Sequence, residues 1–384
     1  MKTNRRRALA LACATVAGLA SPALALAARK PAAGDNVIRL GQSTALTGAN
    51  GAVGRQFRDS ALAWFEAVNA QGGANGLRFE LVTLDDGAVV ERAMTNAKLL
   101  TSTHHAIGFF GFAGPGANRE GMQGAQEEGV PFIAPVSGMD VLRQRENGGV
   151  YLVRAGHRDE IRQIIRHTSS TGITRVALLF EYESAGWEIR DSFAEAAQEA
   201  KLSSSISASV SRGSADVSAS VPVLVATNPQ AIVLAANPSA SAAFVRAARK
   251  AGFGGTFYTV STVGGQVLLN ELGTLAVGMS VAQVVPFPWG GTTPVSREFL
   301  GFCAEHKVTP DFASMEGYIA ARWLTEAVKR AKLREATPAA LGVALERMPP
   351  VSLGGFPLAF NGETRSASSF VELTVVSSQL KFLK

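Results

Sequence analysis

The feature that most constrains this chain is a long alternation of two hydrophobic periods. From residue 37 onward, apolar runs of strand length (37–44, 78–84, 106–112, 130–134, 176–180, 231–236 and 256–261) are separated by stretches of helical period. Runs apolar on both faces suit the central strands of a parallel sheet covered by helices. Phe57, Ala61, Trp64 and Val68 fall on one helical face, as do Ile161, Ile164, Ile165 and Thr168, and again Phe244, Ala247, Ala248 and Ala251. Repeated strand–helix units predict right-handed crossovers and an α/β fold.

One sheet would hardly hold so many strands, and the alternation restarts at 151–155 after the polar stretch 143–149. Two Rossmann-like lobes with parallel-sheet cores are therefore expected. The Pro- and Gly-rich passage 285–291 is a second punctuation point. It is followed by helical patterns at 296–306 and around Ile319, Trp323, Leu324, Ala327 and Val328, then by strand-like runs at 370–376 and 379–383. The predicted organisation is a first lobe of 36–154 plus 286–350 and a second of 155–285 plus 351–384. The lobes are joined by a multi-strand hinge around a cleft. In open α/β sheets ligands sit at the carboxyl ends of strands, so facing lobes form a clamp.

The ends of the chain bear on its compartment. Residues 1–27 run from Lys2, Arg5, Arg6 and Arg7 through an apolar stretch to Pro22 and small-residue exits at 23–25 and 25–27, the form of a cleaved secretory signal peptide. A membrane anchor would need roughly 20 uninterrupted apolar residues. The Arg5-Arg6-Arg7 run fits twin-arginine or general export equally. Once the four leader cations are set aside, the formal charge falls from +6 to +2, which removes the case for nucleic acid. With Cys13 in the leader, Cys303 has no intrachain partner, and cohesion is expected to come from packing.

Several phrases, in their order and spacing, resemble one family. They are Leu40-Gly41-Gln42-Ser43 to Leu46-Thr47-Gly48, Val68-Asn69-Ala70-Gln71-Gly72-Gly73 with Asn75-Gly76, Leu84-Asp85-Asp86, Gly129-Val130-Pro131-Phe132-Ile133, Glu183 to Gly186, and Glu316-Gly317-Tyr318. Together they resemble the periplasmic solute-binding proteins of branched-chain amino acid ABC importers, with a type I (Venus-flytrap) fold. The resemblance implies a periplasmic monomer that captures a small amino acid or related carboxylate or amide and delivers it to a membrane permease. A membrane sensor read by the same clamp is the alternative. No cofactor is implied.

Carried over position by position, the family's pocket changes here. A hydroxyl after the third strand, a hydroxyl-bearing element after the fourth and an acid in the second lobe hold an amino acid in that family. The third-strand loop here contains Phe112, Pro115, Ala117 and Asn118, with Pro115 at the hydroxyl position. The fourth keeps Ser137 but has Gly138 where Thr is usual, and Ser261, beside Thr262, stands at the acid position. Aromatic covering positions are matched by Val53, Ala185 and Pro238. The expectation is a ligand other than an ordinary α-amino acid. Tyr182 and Glu183 are placed at the cleft edge, Glu183 as a replacement partner for a cation, and His157 is placed at the start of the first helix after the crossing.

Read on their own chemistry, other features are weaker. The glycines of 47–54 permit either ligand contact or a plain strand-to-helix connection. Asp85-Asp86-Gly87 reads as a turn with side-chain to backbone hydrogen bonds rather than a metal site. His104 and His105 adjoin a strand start and point to opposite faces. Gly-x-Ser-x-Gly, Gly-x-Gly-x-x-Gly after a strand and His-Glu-x-x-His are absent from the sequence, so no catalytic role is expected.

Overall fold

The structure, a computed structural model, describes residues 36–48, 51–144, 146–360 and 365–384. The leader expected at 1–27 lies outside the described residues. In the first lobe, β1 (Val37–Thr44), α1 (Gly51–Ala70), β2 (Arg78–Asp85), α2 (Val90–Ser102), β3 (Gly108–Phe110), α3 (Pro115–Glu128), β4 (Phe132–Ile133) and β5 (Val150–Tyr151) follow in turn. Their strands form a parallel sheet in the order β2-β1-β3-β4-β5. The chain then crosses to α4 (His157–Ser170), β6 (Arg175–Tyr182), α5 (Ser184–Glu199), β7 (Ser204–Ser211), α6 (Ser220–Val225), β8 (Ala231–Ala235), α7 (Pro238–Lys250), β9 (Thr256–Thr259), α8 (Gln266–Leu272) and β10 (Ser280–Gln283).

The remainder is α9 (Pro294–His306), α10 (Phe312–Arg330), α11 (Pro338–Glu346), β11 (Val351–Leu353), β12 (Phe356–Leu358), β13 (Glu372–Val376) and β14 (Phe382–Leu383). The second sheet runs β14-β13-β10-β9-β8-β6-β7, parallel except where β13 and β14 pair antiparallel at one edge. In each sheet the strand order reverses beside the first strand, between β1 and β3 and between β6 and β8, which opens the crevice where such folds bind ligands.

Each lobe has its own core. In the second, both faces of β6 and β8 are buried against Phe193, Phe244, Val245, Leu268 and Leu269. In the first, α1 lies across α10 so closely that a Cβ on Gly317 would overlap the Phe57 carbonyl. Helix ends follow local chemistry. The Asn237 side chain accepts from Ala240 N at the start of α7, and Asp311 and Ser314 form a reciprocal cap on α10.

The fold differs from expectation in its third crossing. Val351, Leu353, Phe356, Leu358 and Ala367 pack in the first-lobe core, so the chain stays there past the boundary expected at 350. It returns along the first crossing strand, with Leu152 N donating to Arg365 O and Ala367 N to Leu152 O. The physical reason is the hairpin of β11 and β12, whose alternate residues are buried under α10. Besides that hairpin, two strands were not among the expected runs: β7, Ser-rich and half exposed at a sheet edge, and β10, where Ser280 and Gln283 interrupt the apolar stretch.

Candidate functional site

The carboxyl end of β4 and the carboxyl end of β9 meet beside the first crossing strand. The loop after β4 brings Ser137 and Gly138, the loop after β9 brings Ser261 and Thr262, and the first residue of α4, His157, stands between them. His157 N donates to Gly138 O at 2.8 Å, and its Nε2 lies 3.2 Å from Thr262 Oγ1. Glycine at 138 is required by space, because a Cβ there would overlap the imidazole. Burial, with Arg154 and Arg143 nearby, pushes the His157 ring down to about 3, so it is neutral. Its Nδ1 is buried without a hydrogen-bond partner among the described residues.

Beneath this cluster lies a buried charge network centred on Arg154, the last residue before the crossing. Its Nη2 donates to Ser261 Oγ at 2.6 Å and lies 3.7 Å from Glu160 of α4, while Nη1 stands 3.3 Å from Glu316 of α10. Glu160 in turn accepts from Ser261 N at 2.6 Å and from Ser261 Oγ at 3.0 Å. Burial raises the carboxyls of Glu160, to about 7, and of Glu316, in both cases against the pull of Arg154. Arg143 is also buried; its Nη1 and Nη2 donate to the carbonyls of Met139, Ser137, Arg154 and Ala155, while its Nε finds no partner among the described residues. Burial brings its guanidinium down to about 10.

The opposite side of the cleft is where the lobes touch. Arg119 of α3 donates to Ser184 Oγ at 2.5 Å, Asp140 N donates to Glu188 of α5 at 2.8 Å, and Ala185 packs into first-lobe side chains. Tyr182 stands at this rim, largely exposed and edge-on to Trp187. Glu183 precedes α5 and lies 3.3 Å from Arg212. Burial first and then Glu181 raise its carboxyl, against Arg212 and Arg119.

The structure thus gathers Ser137, Gly138, His157, Ser261 and Thr262 into one cluster and sets Tyr182 and Glu183 at the other edge. Pro115 and Ala117 lie in the first turn of α3. Asn118, in the same helix, donates to Gly114 O and Val136 O, and its buried Oδ1 has no partner among the described residues. Phe112 is corrected: its ring is fully buried between Phe109 and Phe132, so it belongs to the core and cannot cover a ligand. Of the glycines after β1, Gly54 lies in α1 and is needed for packing, since a Cβ there would overlap the Ala45 carbonyl. The turn at Asp85-Asp86 is as expected, with Asp85 accepting from Leu46 N, Thr47 Oγ1 and Gly87 N.

Sequence reasoning missed Arg143, Arg154, Glu160 and Glu316 as members of the site. Glu316 was visible only as part of a family phrase, and a charged residue in a helical segment ordinarily reads as solvated surface. At position 261, where an acid was sought, Ser261 instead donates to Glu160 of α4, which also lies 3.7 Å from Arg154.

Two α/β lobes crossed three times by the chain, with a polar cluster where their strand ends face each other, define a two-lobed binding protein of the type I periplasmic fold. Residues 37–379 match the model of the periplasmic binding protein family, and the chain belongs to that family. It is 26% identical over 292 residues to an amino acid binding protein of Pseudomonas aeruginosa, covering 75% of this chain and 74% of that one. Among solved structures it is similar to a possible leucine/isoleucine/valine-binding protein from Rhodopirellula baltica SH 1 (TM-score 0.82, 25% identity, 92% of this chain and 98% of that one). A substrate-binding periplasmic protein from Ralstonia solanacearum is likewise similar (TM-score 0.79, 27% identity, 90% and 99%).

Proposed function

We propose that this protein is the solute-binding component of an ABC importer. It captures a small amino acid or a related carboxylate or amide between its lobes and delivers it to a membrane permease. The observation that carries the reading is the polar cluster of Ser137, Gly138, His157, Ser261 and Thr262, built from both lobes at the carboxyl ends of their strands. A group that engages both sides stabilises the closed arrangement, and closure is what a permease can recognise. Tyr182 and Glu183 stand at the rim, while Asn118, fully buried, holds the loops at Gly114 and Val136 together behind the first-lobe side. The protein acts as a monomer in the periplasm, after removal of residues 1–27, and has no catalytic role.

A thermal-shift panel on exported protein, unfolded and refolded to strip carried solute, tests this reading. Amino acids, aromatic acids, dicarboxylates and amides form the panel. A ligand at about 100 times its Kd adds about 2.7 kcal/mol to stability. A raised Tm together with a smaller radius of gyration in solution scattering is the expected outcome. A panel that moves neither quantity removes the proposal.

A further inference from the structure

We infer that Glu188 of α5 is a positioning residue that holds the two lobes together before any solute arrives, by accepting the backbone N–H groups of Asp140 and Val141 from across the cleft. This rests on the capture reading above, in which the lobes part to admit a solute, and names the contact that sets how often they do.

The contact joins elements at the carboxyl ends of strands in both sheets. Ser184, Ala185 and Glu188 lie in the first turns of α5, directly after β6, while Arg119 lies in α3, after β3, and Asp140 and Val141 follow β4. Asp140 N donates to Glu188 Oε2 at 2.8 Å, and Val141 N is a second donor to the same carboxylate. These amides open the short 3-10 turn Asp140–Arg143, and Met139 before it offers no side-chain acceptor. The acceptor that meets them therefore comes from the other lobe. Beside it, Ala185 is buried in a first-lobe core cluster with Met139 and Leu142, and Arg119 donates to Ser184 Oγ at 2.5 Å.

Of these three links, Glu188 makes the most directional. A carboxylate accepts more strongly than a neutral oxygen, and here one carboxylate meets two backbone donors. Ala185 contributes a methyl group, and Ser184 is exposed, where water can replace its bond to Arg119. All three links are made between protein groups, so they hold without a solute. Burial, with the facing Asp140 carboxyl, raises the Glu188 carboxyl against the two amides and Arg143, so desolvation offsets part of the gain and the link can break. The far end of the same turn is fixed by Arg143, which donates to Ser137 O and Ala155 O. One short turn thus ties Glu188 to the cleft loop and to the crossing. A solute that bridges the lobes adds to a closure these contacts already favour.

The test is the rate at which N-ethylmaleimide labels cysteines placed at buried positions on either side of the cleft, Ala185→Cys in the second lobe and Ser137→Cys in the first, in the exported chain refolded free of solute. When closing outpaces labelling, the rate follows the open share. Cys303, in the first-lobe core with its thiol pushed up to about 12, is the internal control for unfolding. Adding Glu188→Ala is expected to raise labelling of both reporters about tenfold, with Cys303 unchanged. Glu188→Gln keeps an oxygen for the amides and should stay within about threefold of its parent. If either reporter fails to fold, a larger radius of gyration for Glu188→Ala than for wild type and Glu188→Gln must appear in its place. Unchanged labelling in Glu188→Ala, a rise shared by Cys303, a rise at Ala185→Cys alone, which marks local fraying of α5, or a rise in Glu188→Gln as large as in Glu188→Ala overturns the inference. The assay uses no solute, so each of these leaves capture to be decided by the thermal-shift panel.

Discussion

Arg154 and Glu316 are 162 residues apart in sequence, yet Arg154 Nη1 stands 3.3 Å from both oxygens of the Glu316 carboxylate, in a place closed to solvent. Arg154 lies in the segment between β5 and α4 that leaves the first lobe, Glu316 on a helix of that lobe, and the other side of the guanidinium holds Glu160 and Ser261 of the second lobe. The hinge is thus pinned by one cation shared between two anions. Such a group contributes little net stability over an apolar filler, but removing it leaves buried charge without a partner.

Arg154→Met is therefore expected to destabilise the protein by about 3–5 kcal/mol. Adding Glu316→Gln to that variant removes one stranded carboxylate and should recover part of the loss. Denaturant unfolding of the two single variants and the double variant checks this; a double variant weaker than the sum of the singles would contradict the shared-cation account.

Gly138 and His157 should couple in the same way by shape. Gly138→Ala forces the imidazole to move and is expected to cost about 1–3 kcal/mol, as overpacking does. Once His157→Ala has vacated the space, the added methyl group should cost far less. A double-mutant cycle with no coupling would show that the ring has other room.

The buried titratable groups give pH effects of opposite sign. Glu160 is pushed up to about 7, above the ordinary carboxylate range, so its contribution to stability is present in acid and is lost as pH rises to 7. His157 is pushed down to about 3, below its ordinary value of about 6.5, so its contribution is present above that value and is lost as pH falls toward 3. From pH 5 to 7 the wild type should lose stability relative to Glu160→Gln. From pH 6 to 4, His157→Gln should gain relative to the wild type. Unfolding free energies across these windows read both trends.

The first-lobe core offers a test independent of the cleft. Gly317→Ala places a methyl group against the backbone carbonyl of Phe57, where no side chain can yield, so α1 and α10 must separate. A loss of about 1–3 kcal/mol is expected, with the solute preference of the folded fraction unchanged. Equal stability would mean that the helices have slack the structure does not show.

Much of the fold was legible from residue 37 onward because parallel strands buried on both faces write continuous apolar runs. β1, β6, β8 and β9 fall where those runs stand. β7 was silent because an edge strand rich in Ser has no apolar run to show. The hairpin at 351–358 was assigned to the wrong lobe because its alternating residues say that one face is buried, but not against what.

The site divided along the same line. Ser137, Gly138, Ser261 and Thr262 were reached by carrying the pocket of the resembling family over onto the loops after the strands, and His157 because it follows the crossing. Local sequence thus determined the α/β alternation, the division into two lobes and the loops that face the cleft, since each depends on residues near one another in the chain. Only the tertiary structure decided that Phe112 is core, that Glu160 is spent on Ser261 and Arg154, and that Glu316 reaches the hinge. Those outcomes depend on contacts between distant segments, where burial strips water from a charge and makes its partner, rather than its neighbours in sequence, decide what it can do.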